Sequence, residues 1–220
     1  MKGNLYIVST PIGNLEDITF RAVETLKKVD LIACEDTRRT KVLLDHYGIT
    51  THCTSYHSYS SGGKKDRLAD RILEGQNIAL VSDSGTPGIS DPGTPLIRTC
   101  IENEINIISI PGACACIAAL TVSGKDTSAF IFEGFLSNKG AKRKNQLTKL
   151  LEEKRTVILY ESPHRIEKFL EDLAALEPER EIIVARELTK KFEEILRGKA
   201  EEIKEHFKQS KPRGEFTVIF

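Results

Sequence analysis

Short apolar runs alternate with stretches of helical periodicity along the first half of the chain. The runs are Leu5–Val8, Leu31–Cys34, Ile78–Val81 and Ile105–Ile108. They lack the regular polar alternation of a half-exposed strand, which is typical of parallel strands buried on both faces. Between them, apolar residues recur at helical spacing, as at Ala22, Leu26 and Val29, and predict amphipathic helices. We therefore predict a parallel sheet covered by helices on both faces.

The second half of the chain orders its strands and helices differently. Strands are predicted at Phe130–Phe132, Val157–Tyr160, Ile182–Ala185 and Phe216–Phe220, with a further short one at Ile195–Leu196. Helices are predicted near 141–154, 163–175 and 199–209. Because the pattern changes between the halves, we predict an N-terminal domain over 1–118 and a C-terminal domain over 119–220.

Acidic and basic residues balance, with 32 Lys and Arg against 32 Asp and Glu among 220 residues. This balance excludes a strongly basic protein that binds nucleic acid through bulk charge, but a local basic patch remains compatible with it.

The five cysteines show no CxxC spacing. They are predicted to be small buried residues with reduced thiols, which fits a cytoplasmic protein. No stretch reaches the roughly 20 apolar residues of a membrane-spanning helix, so no membrane partner is expected.

The loops that follow the predicted strands hold the candidate chemistry, because ligands bind beyond the carboxyl ends of the strands in open parallel sheets. Three strand ends lead into residues 9–14, 34–38 and the glycine- and proline-rich segment 82–93. A Gly-x-Gly-x-x-Gly turn, a Walker phosphate loop and a Gly-x-Ser-x-Gly elbow are absent. Clustered metal-ligand spacings are absent too. The sequence therefore disfavours a dinucleotide site, a phosphate loop, a serine hydrolase and a bound metal.

Segments along nearly the whole chain resemble the tetrapyrrole methylase superfamily. They are LYIVSTPIGNLEDIT (5–19), ACEDTRRT (33–40), SDSGTPGISDPG (82–93), PGACACIAAL (111–120), LYESPHR (159–165), ARELTKKFEE (185–194) and RGEF (213–216). The closest resemblance is to its ribosomal RNA branch, which methylates the 2′-hydroxyl of a cytidine in small-subunit ribosomal RNA. SDSGTPGISDPG and YESPHR are the most diagnostic segments.

The resemblance implies a two-domain α/β fold, with a mostly parallel sheet in the N-terminal domain and a mixed sheet in the C-terminal domain. It also implies a homodimer that binds S-adenosyl-L-methionine in the cleft between its domains. The implied cofactor-binding residues are Pro11, Ile12, Gly13, Asp83, Ser84, Gly85, Thr86, Pro87, Ile89, Cys114, Ala115, Tyr160, Glu187, Leu188 and Glu215. Ser84, Cys114 and Cys116 depart from the residues usual in the family, but all three are small.

Methyl transfer to a ribose hydroxyl needs a group that accepts or orients the hydroxyl proton. Glu35, Asp36 and Asp83 are the acidic candidates, because each follows a predicted strand end. The alternative for Glu35 and Asp36 is that they cap the next helix.

Arg38 and Arg165 are candidates for binding phosphate or orienting the substrate. The alternative for each is a solvent-exposed position at the start of a helix.

Basic and aromatic residues are the candidates for contacts with RNA. Lys139, Lys142, Arg143 and Lys144 cluster in a short glycine-containing segment that we expect to contact the RNA backbone, although charge runs are more often solvated faces. Tyr56 and Tyr59, in a loop with His57, are candidates for stacking on a flipped base.

Three function classes remain open from the sequence. The first is a cofactor-dependent methyltransferase of small-subunit ribosomal RNA, with the RNA free or within the assembled subunit. The second is a methyltransferase for a tetrapyrrole or a protein side chain. The third is a binding module that has kept the fold without the activity.

Overall fold

In the part of the chain that the structure describes, each half is built around a sheet of five strands. The computed structural model describes residues 1–56, 63–209 and 212–220. The chain divides into a first unit, Met1–Cys114, and a second unit, Ala115–Phe220. The predicted boundary after residue 118 lies inside the first helix of the second unit. No helix in the described part of the chain has the length and apolar character needed to cross a bilayer.

The first unit contains a fully parallel sheet with the strand order β3-β2-β4-β1-β5. Its strands are β1 (Asn4–Val8), β2 (Leu31–Cys34), β3 (Cys53–Ser55), β4 (Ile78–Leu80) and β5 (Asn106–Ile110). Its helices are α1 (Phe20–Lys28), α2 (Thr37–His46), α3 (Lys64–Leu73) and α4 (Thr94–Glu102), with a short 3-10 turn at Leu15–Asp17. The predicted parallel sheet is therefore confirmed, although β3 was not predicted.

Apolar side chains of the first sheet pack on both of its faces. Leu31 and Leu80 pack on one face with the helix residue Ile72, whereas Ile32 and Ala79 pack on the other face with Leu26. Successive residues of a strand therefore enter different cores, and both cores are apolar. This explains why the strands appear in the sequence as continuous apolar runs.

The second unit contains a mixed sheet with the strand order β6-β7-β10-β8-β9. Its strands are β6 (Phe130–Phe135), β7 (Thr156–Glu161), β8 (Glu181–Arg186), β9 (Glu194–Lys199) and β10 (Phe216–Ile219). Its helices are α5 (Ala115–Ser123), α6 (Gly140–Leu151), α7 (Ile166–Leu176) and α8 (Ala200–Gln209). Strands β6 and β7 run parallel, while β10 is antiparallel to both β7 and β8. The mixed sheet implied by the family resemblance is confirmed.

A buried ion pair joins two helices of the second unit. The Arg143 guanidinium of α6 donates to Asp172 Oδ2 of α7, with distances of 3.0 Å from Nε and 2.5 Å from the second nitrogen. The side chains are 7% and 2% exposed. The prediction that Arg143 contacts RNA is therefore wrong, because its guanidinium points into the protein and is held by a carboxylate there.

We predict that Arg143→Met lowers the free energy of unfolding by about 3–5 kcal/mol, because it leaves the Asp172 carboxylate buried without its closest partner. Urea denaturation measures the change. Lys142→Met, at an exposed position of the same helix, should change it by less than about 0.5 kcal/mol. The double variant Arg143→Met/Asp172→Leu should recover much of the loss. An equal effect of the two single variants would contradict a structural role for the pair.

Candidate functional site

The carboxyl edge of the first sheet gathers the loops singled out by the sequence. In the strand order, β2, β4, β1 and β5 are consecutive neighbours and run in the same direction. The segments that follow these strands, residues 35–36, 81–93, 9–14 and 111–114, therefore leave the sheet side by side. This edge is where open parallel sheets bind their ligands.

Thr10 and Gly85 join the loops after β1 and β4. Their main chains exchange two hydrogen bonds, of 2.9 Å from Thr10 N to Gly85 O and 3.2 Å in the reverse direction. The Thr10 hydroxyl also donates to Ser82 O at 3.1 Å. Gly85 has φ +88°, a left-handed conformation that favours glycine. A Cβ on it would lie 3.3 Å from Ile12 Cγ2 and 3.7 Å from Ala113 O, so the loops meet closely here.

Hydrogen bonds through two hydroxyl groups connect the loop after β5 to the loops after β1 and β4. The Thr86 hydroxyl donates to Ala113 O at 3.0 Å and lies 2.9 Å from Ser9 Oγ. Because the single Thr86 proton goes to Ala113, Ser9 donates the bond between the two hydroxyls. Ser9, Thr10 and Gly112 were not among the predicted site residues. The Ser-Thr pair directly after the first strand and the Pro-Gly pair after the fifth are the signals that could have identified them.

The exposure of the predicted cofactor residues differs along this edge. Ile12, Gly85 and Pro87 are buried, Pro11, Asp83, Ser84, Thr86 and Cys114 are half-buried, and Gly13 and Ile89 are exposed. The edge thus offers small side chains, main-chain carbonyls and carboxylates. This set of groups fits a cationic ligand with several hydrogen-bonding positions, as S-adenosylmethionine is.

The acidic candidates lie on the adjacent ends of β2 and β4. Asp36 N donates to Asp83 Oδ1 at 2.9 Å, and Arg39 approaches Asp83 Oδ2 at 3.5 Å. Asp36 caps α2, as the sequence alternative proposed, because its Oδ1 accepts from Arg38 N at 2.9 Å. Glu35 is half-buried beside it. The structure therefore brings Glu35, Asp36 and Asp83 together.

Arg38 forms an ion pair with the residue that caps its own helix. Its guanidinium donates to both carboxylate oxygens of Asp36, at 3.1 and 2.7 Å. Hydrogen bonds from the Arg38 side chain and main chain hold the pKa of the Asp36 carboxyl well below its usual range. The Arg38 side chain is 88% exposed, which leaves its outer face accessible to a substrate.

The cysteines lie mainly in the interior. Cys34, Cys100 and Cys116 are buried, while Cys53 and Cys114 are half-buried, and these five residues form no disulfide. Burial raises the pKa of the Cys100 thiol to about 11, so this thiol stays protonated at neutral pH.

Tyr160 is fixed at the carboxyl end of β7 in the second unit. Its hydroxyl accepts a hydrogen bond from Cys116 N at 3.0 Å, next to Ala115 at the start of α5. Its ring makes edge contacts with Phe132 and Phe135, with ring centroids 4.8 and 5.7 Å apart. The structure thus brings the predicted cofactor residues Tyr160 and Ala115 close to each other.

Glu187 and Glu215, also predicted to bind the cofactor, are joined to each other. Glu187 N donates to Glu215 O, and Glu215 N donates to Glu187 Oε1, both at 3.0 Å. Lys190 Nζ binds both carboxylates at 2.8 Å. Leu188 follows in the same turn and is half-buried. Both segments lie at the same edge of the second sheet, because Phe216 pairs with Arg186 of β8.

Arg165 forms an ion pair and a hydrogen bond within the second unit. Its guanidinium lies 3.1 Å from Glu161 Oε1 and donates to Leu136 O at 2.7 Å. Burial raises the pKa of the Glu161 carboxyl, and the Arg165 charge works against that rise. These contacts fasten the loop that leads from β6 into α6. Arg165 therefore stabilises this loop, whereas the sequence analysis considered only binding of phosphate or substrate and a solvent-exposed position.

Three lysines lie exposed around the start of α6. Lys139 precedes the helix, and Lys142 and Lys144 lie in its first turns. The predicted loop is therefore largely helical. Lys144 lies 3.7 Å from the buried Asp172. Cations at a helix N-terminus are unfavourable by about 0.3–1 kcal/mol each, so the cluster is better suited to an anionic ligand than to stabilising the helix.

One of the two tyrosines predicted to stack on a base is buried. Tyr56 is 2% exposed and packs in the core of the first unit, so the prediction that it stacks on RNA is wrong. His57 and Tyr59 lie outside the described residues.

Sequence comparisons identify close relatives. The model of the family described as Tetrapyrrole (Corrin/Porphyrin) Methylases matches residues 4–204. The chain is 53% identical over 218 residues to a Synechocystis sp. protein named Ribosomal RNA small subunit methyltransferase I. That match covers 99% of this chain and 78% of the relative.

Solved structures share the fold at low sequence identity. Uroporphyrin-III C-methyltransferase from Thermus thermophilus, complexed with S-adenosyl homocysteine, has a TM-score of 0.69 and 16% identity, covering 99% of this chain and 97% of that one. Diphthine synthase has a TM-score of 0.74 and 14% identity, covering 99% and 90%.

We predict that Gly112→Ala destabilises the protein by about 1–3 kcal/mol, because the new methyl group overpacks the junction between the loops after β1 and β5. Its Cβ would lie 2.9 Å from Ser9 Cβ. Gly140→Ala is the matched control, since its Cβ would meet no heavy atom within 4 Å. Urea denaturation of both variants tests this. A loss of the same size in the control would show that the loop junction is not the cause.

Proposed function

The chain belongs to the tetrapyrrole methylase family, and we propose that it transfers a methyl group from S-adenosylmethionine to the 2′-hydroxyl of a cytidine in small-subunit ribosomal RNA. The observation that carries the proposal is the 53% identity, over 99% of the chain, to a relative named for methylation of this RNA. The choice of the cytidine 2′-hydroxyl rests on the EDTR and YESPHR segments, which resemble the ribosomal RNA branch. The family resemblance inferred from the sequence is thereby confirmed.

The first unit offers the groups that would hold the cofactor. S-adenosylmethionine supplies an electrophilic methyl group on a sulfonium cation. The half-buried Asp83 carboxylate provides a negative charge at the sheet edge. The junction of Thr10, Gly85 and Ala113 holds the surrounding carbonyls in fixed positions. Fixed acceptors are suited to orient a cationic ligand, and orientation contributes much of the rate in a transfer of this kind.

Glu35 and Asp83 are the carboxylates that we assign to accepting or orienting the proton of the ribose hydroxyl. Asp36 is less suited, because the Arg38 hydrogen bonds lower its pKa and a weak base accepts a proton poorly. Asp36 instead holds α2 and aligns Arg38. The exposed guanidinium of Arg38 can orient an RNA phosphate.

The second unit adds positioning groups and basic surface. Tyr160, with Ala115 beside it, and the joined Glu187 and Glu215 are the remaining candidate cofactor contacts. Lys139, Lys142 and Lys144 are assigned to the RNA backbone because their ammonium groups are exposed. From the family resemblance we also propose that the protein acts as a homodimer in the cytoplasm.

We predict that the protein transfers radiolabelled methyl groups from S-adenosylmethionine to small-subunit ribosomal RNA, free or within the subunit. Nuclease digestion should locate the label on the ribose of a cytidine. A uroporphyrin acceptor and a protein acceptor are tested in parallel, because the fold is shared with enzymes named for such substrates. Label on either of these and none on RNA would replace the proposal by the second function class.

A folded protein that labels no acceptor would support a binding module without activity. Cofactor binding is followed separately, because cofactor at ~100 times its dissociation constant should stabilise the fold by about 2.7 kcal/mol. No such stabilisation would contradict the cofactor assignment itself.

We predict that replacing Lys139, Lys142 and Lys144 by Ser weakens RNA binding and flattens its salt dependence. Each lost phosphate contact should lower the log–log salt slope by about 0.7–0.9. RNA affinity across a salt series measures both effects, while cofactor affinity stays constant. Lys149→Ser/Lys154→Ser, at exposed positions near the other end of α6, is the control and should keep the slope. An unchanged salt slope in the triple variant would show that these lysines are ordinary solvent-exposed residues that do not contact RNA.

A further inference from the structure

The turn between β8 and β9 holds two non-glycine residues in a left-handed conformation. Glu187 has φ +50° and Thr189 has φ +66°. Such a conformation is strained for a residue with a side chain and persists where the surrounding structure enforces it. The turn therefore has a fixed shape that the chain maintains against local strain.

Hydrogen bonds from several sides enforce this shape. Thr189 N donates to Glu193 Oε2 at 2.5 Å, across the turn. The Glu187 carboxylate binds Lys190 and the main chain of Glu215. Gly214 lies so close that a Cβ on it would be 2.2 Å from Glu187 Oε1. The turn is thus anchored to the segment that precedes β10.

Phe192 lies at the outer side of this fixed turn and is 68% exposed. Burial of a Phe side chain stabilises a folded protein, and the exposed Phe192 ring contributes little of that stabilisation. A cation lies over one face of this ring, with Lys191 Nζ 5.7 Å from the ring centroid. An exposed aromatic ring on a rigid support is suited to a flat partner.

The carboxylates around Phe192 are all engaged within the turn, Glu193 by the main-chain N–H of Thr189 and the others by cations. Glu187 and Glu215 are paired with Lys190, and Glu194 is paired with Arg186. Within the described parts of the chain, neither the Lys191 ammonium nor the Arg213 guanidinium has a carboxylate partner. Lys191 lies over the Phe192 ring, and Arg213 belongs to the segment that Gly214 anchors to the turn, so both cations remain available to an anionic ligand.

The position of the turn in the sheet places it at the same sheet edge as the segment that leads to the α6 lysines. β8 ends at Arg186, which pairs with Phe216, and Phe216 also pairs with Glu161 at the end of β7. Phe135, at the end of β6, pairs with Tyr160. The Phe192 turn and the segment that leads to the α6 lysines therefore leave the same edge of one sheet.

We infer that Phe192 is a stacking platform for an unpaired base of the RNA substrate, with Lys191 and Arg213 beside the flanking phosphates. Single-stranded RNA is recognised in this way, by aromatic rings that stack on bases next to cations that follow the backbone. The inference rests on the proposed function, because it assigns an RNA contact to the same enzyme. A protein partner on Phe192 is the alternative that the experiment must distinguish.

Substitution of Phe192 separates stacking from apolar contact. Phe192→Ala and Phe192→Leu should each weaken binding of small-subunit ribosomal RNA by about 5- to 100-fold, the range expected for one stacked base. Phe192→Tyr should restore it. The salt slope should stay unchanged in all three, unlike in the α6 lysine variant, because stacking releases no counterions. Wild-type affinity in Phe192→Leu would overturn the inference.

Fluorescence reports the contact directly, because the chain contains no tryptophan. Phe192→Trp introduces a single indole, which a stacked base should quench when the RNA is added. Phe20→Trp is the control, since Phe20 is 94% exposed in the other unit and should not be quenched. No quenching at 192, or equal quenching at both positions, would contradict the stacked base.

Methylation activity and oligomeric state distinguish failure of this inference from failure of the proposed function. If the wild-type protein methylates RNA while all Phe192 variants bind it normally, the stacking inference fails and the proposed function stands. If the wild-type protein neither binds nor methylates the RNA, the proposed function fails. If Phe192→Ala changes the oligomeric state in light scattering but not RNA affinity, the ring belongs to a protein interface and the inference is overturned.

Discussion

The pair of main-chain hydrogen bonds between Thr10 and Gly85 is the contact on which the candidate site of the first unit depends. It joins the loops after β1 and β4, which are neighbours in the sheet, and it fixes Ser82 and Thr86 on either side. Thr86 then extends the junction to the loop after β5. Without a side chain at residue 85 the loops can approach this closely, so the junction between them depends on this glycine.

The fold could be predicted from the sequence wherever burial alone determines an element. Strands buried on both faces appear as apolar runs, so β1, β2 and β4 were recognisable. β3 was not, because Cys53–Ser55 contains no apolar run and is held as a strand by pairing with β2. β9 was predicted too short for the same reason, since its pairing with β8 extends over Glu194–Lys199.

The sequence could predict which loops form the candidate site, because these loops follow the strands of a sheet. It could not predict contacts between side chains that lie far apart in the sequence. The motifs after the strands of each unit do meet at one edge of their own sheet. Arg143 was wrongly placed on the surface because nothing local reveals Asp172 as its partner. Its spacing from Leu147 and Leu151, one helical turn and then another, was the signal that it faces the core. Arg165 likewise bonds to a carbonyl, Leu136 O, which no side-chain pattern encodes.

The parallel order of the first sheet also bears on how the protein emerges from the ribosome. β1 pairs with β4 and β5, whose partner residues Ile78 and Asn106 lie far along the chain. At ~5–20 residues per second, roughly 5–20 s of synthesis separate the appearance of β1 from that of β5. For most of that interval, until Ile78 of β4 has been made, β1 is an apolar strand with neither neighbour, a state prone to wrong pairing. The parallel sheet of the first unit therefore cannot be completed before β5 has been made, and the loops that meet at its carboxyl edge cannot assume their final arrangement until then.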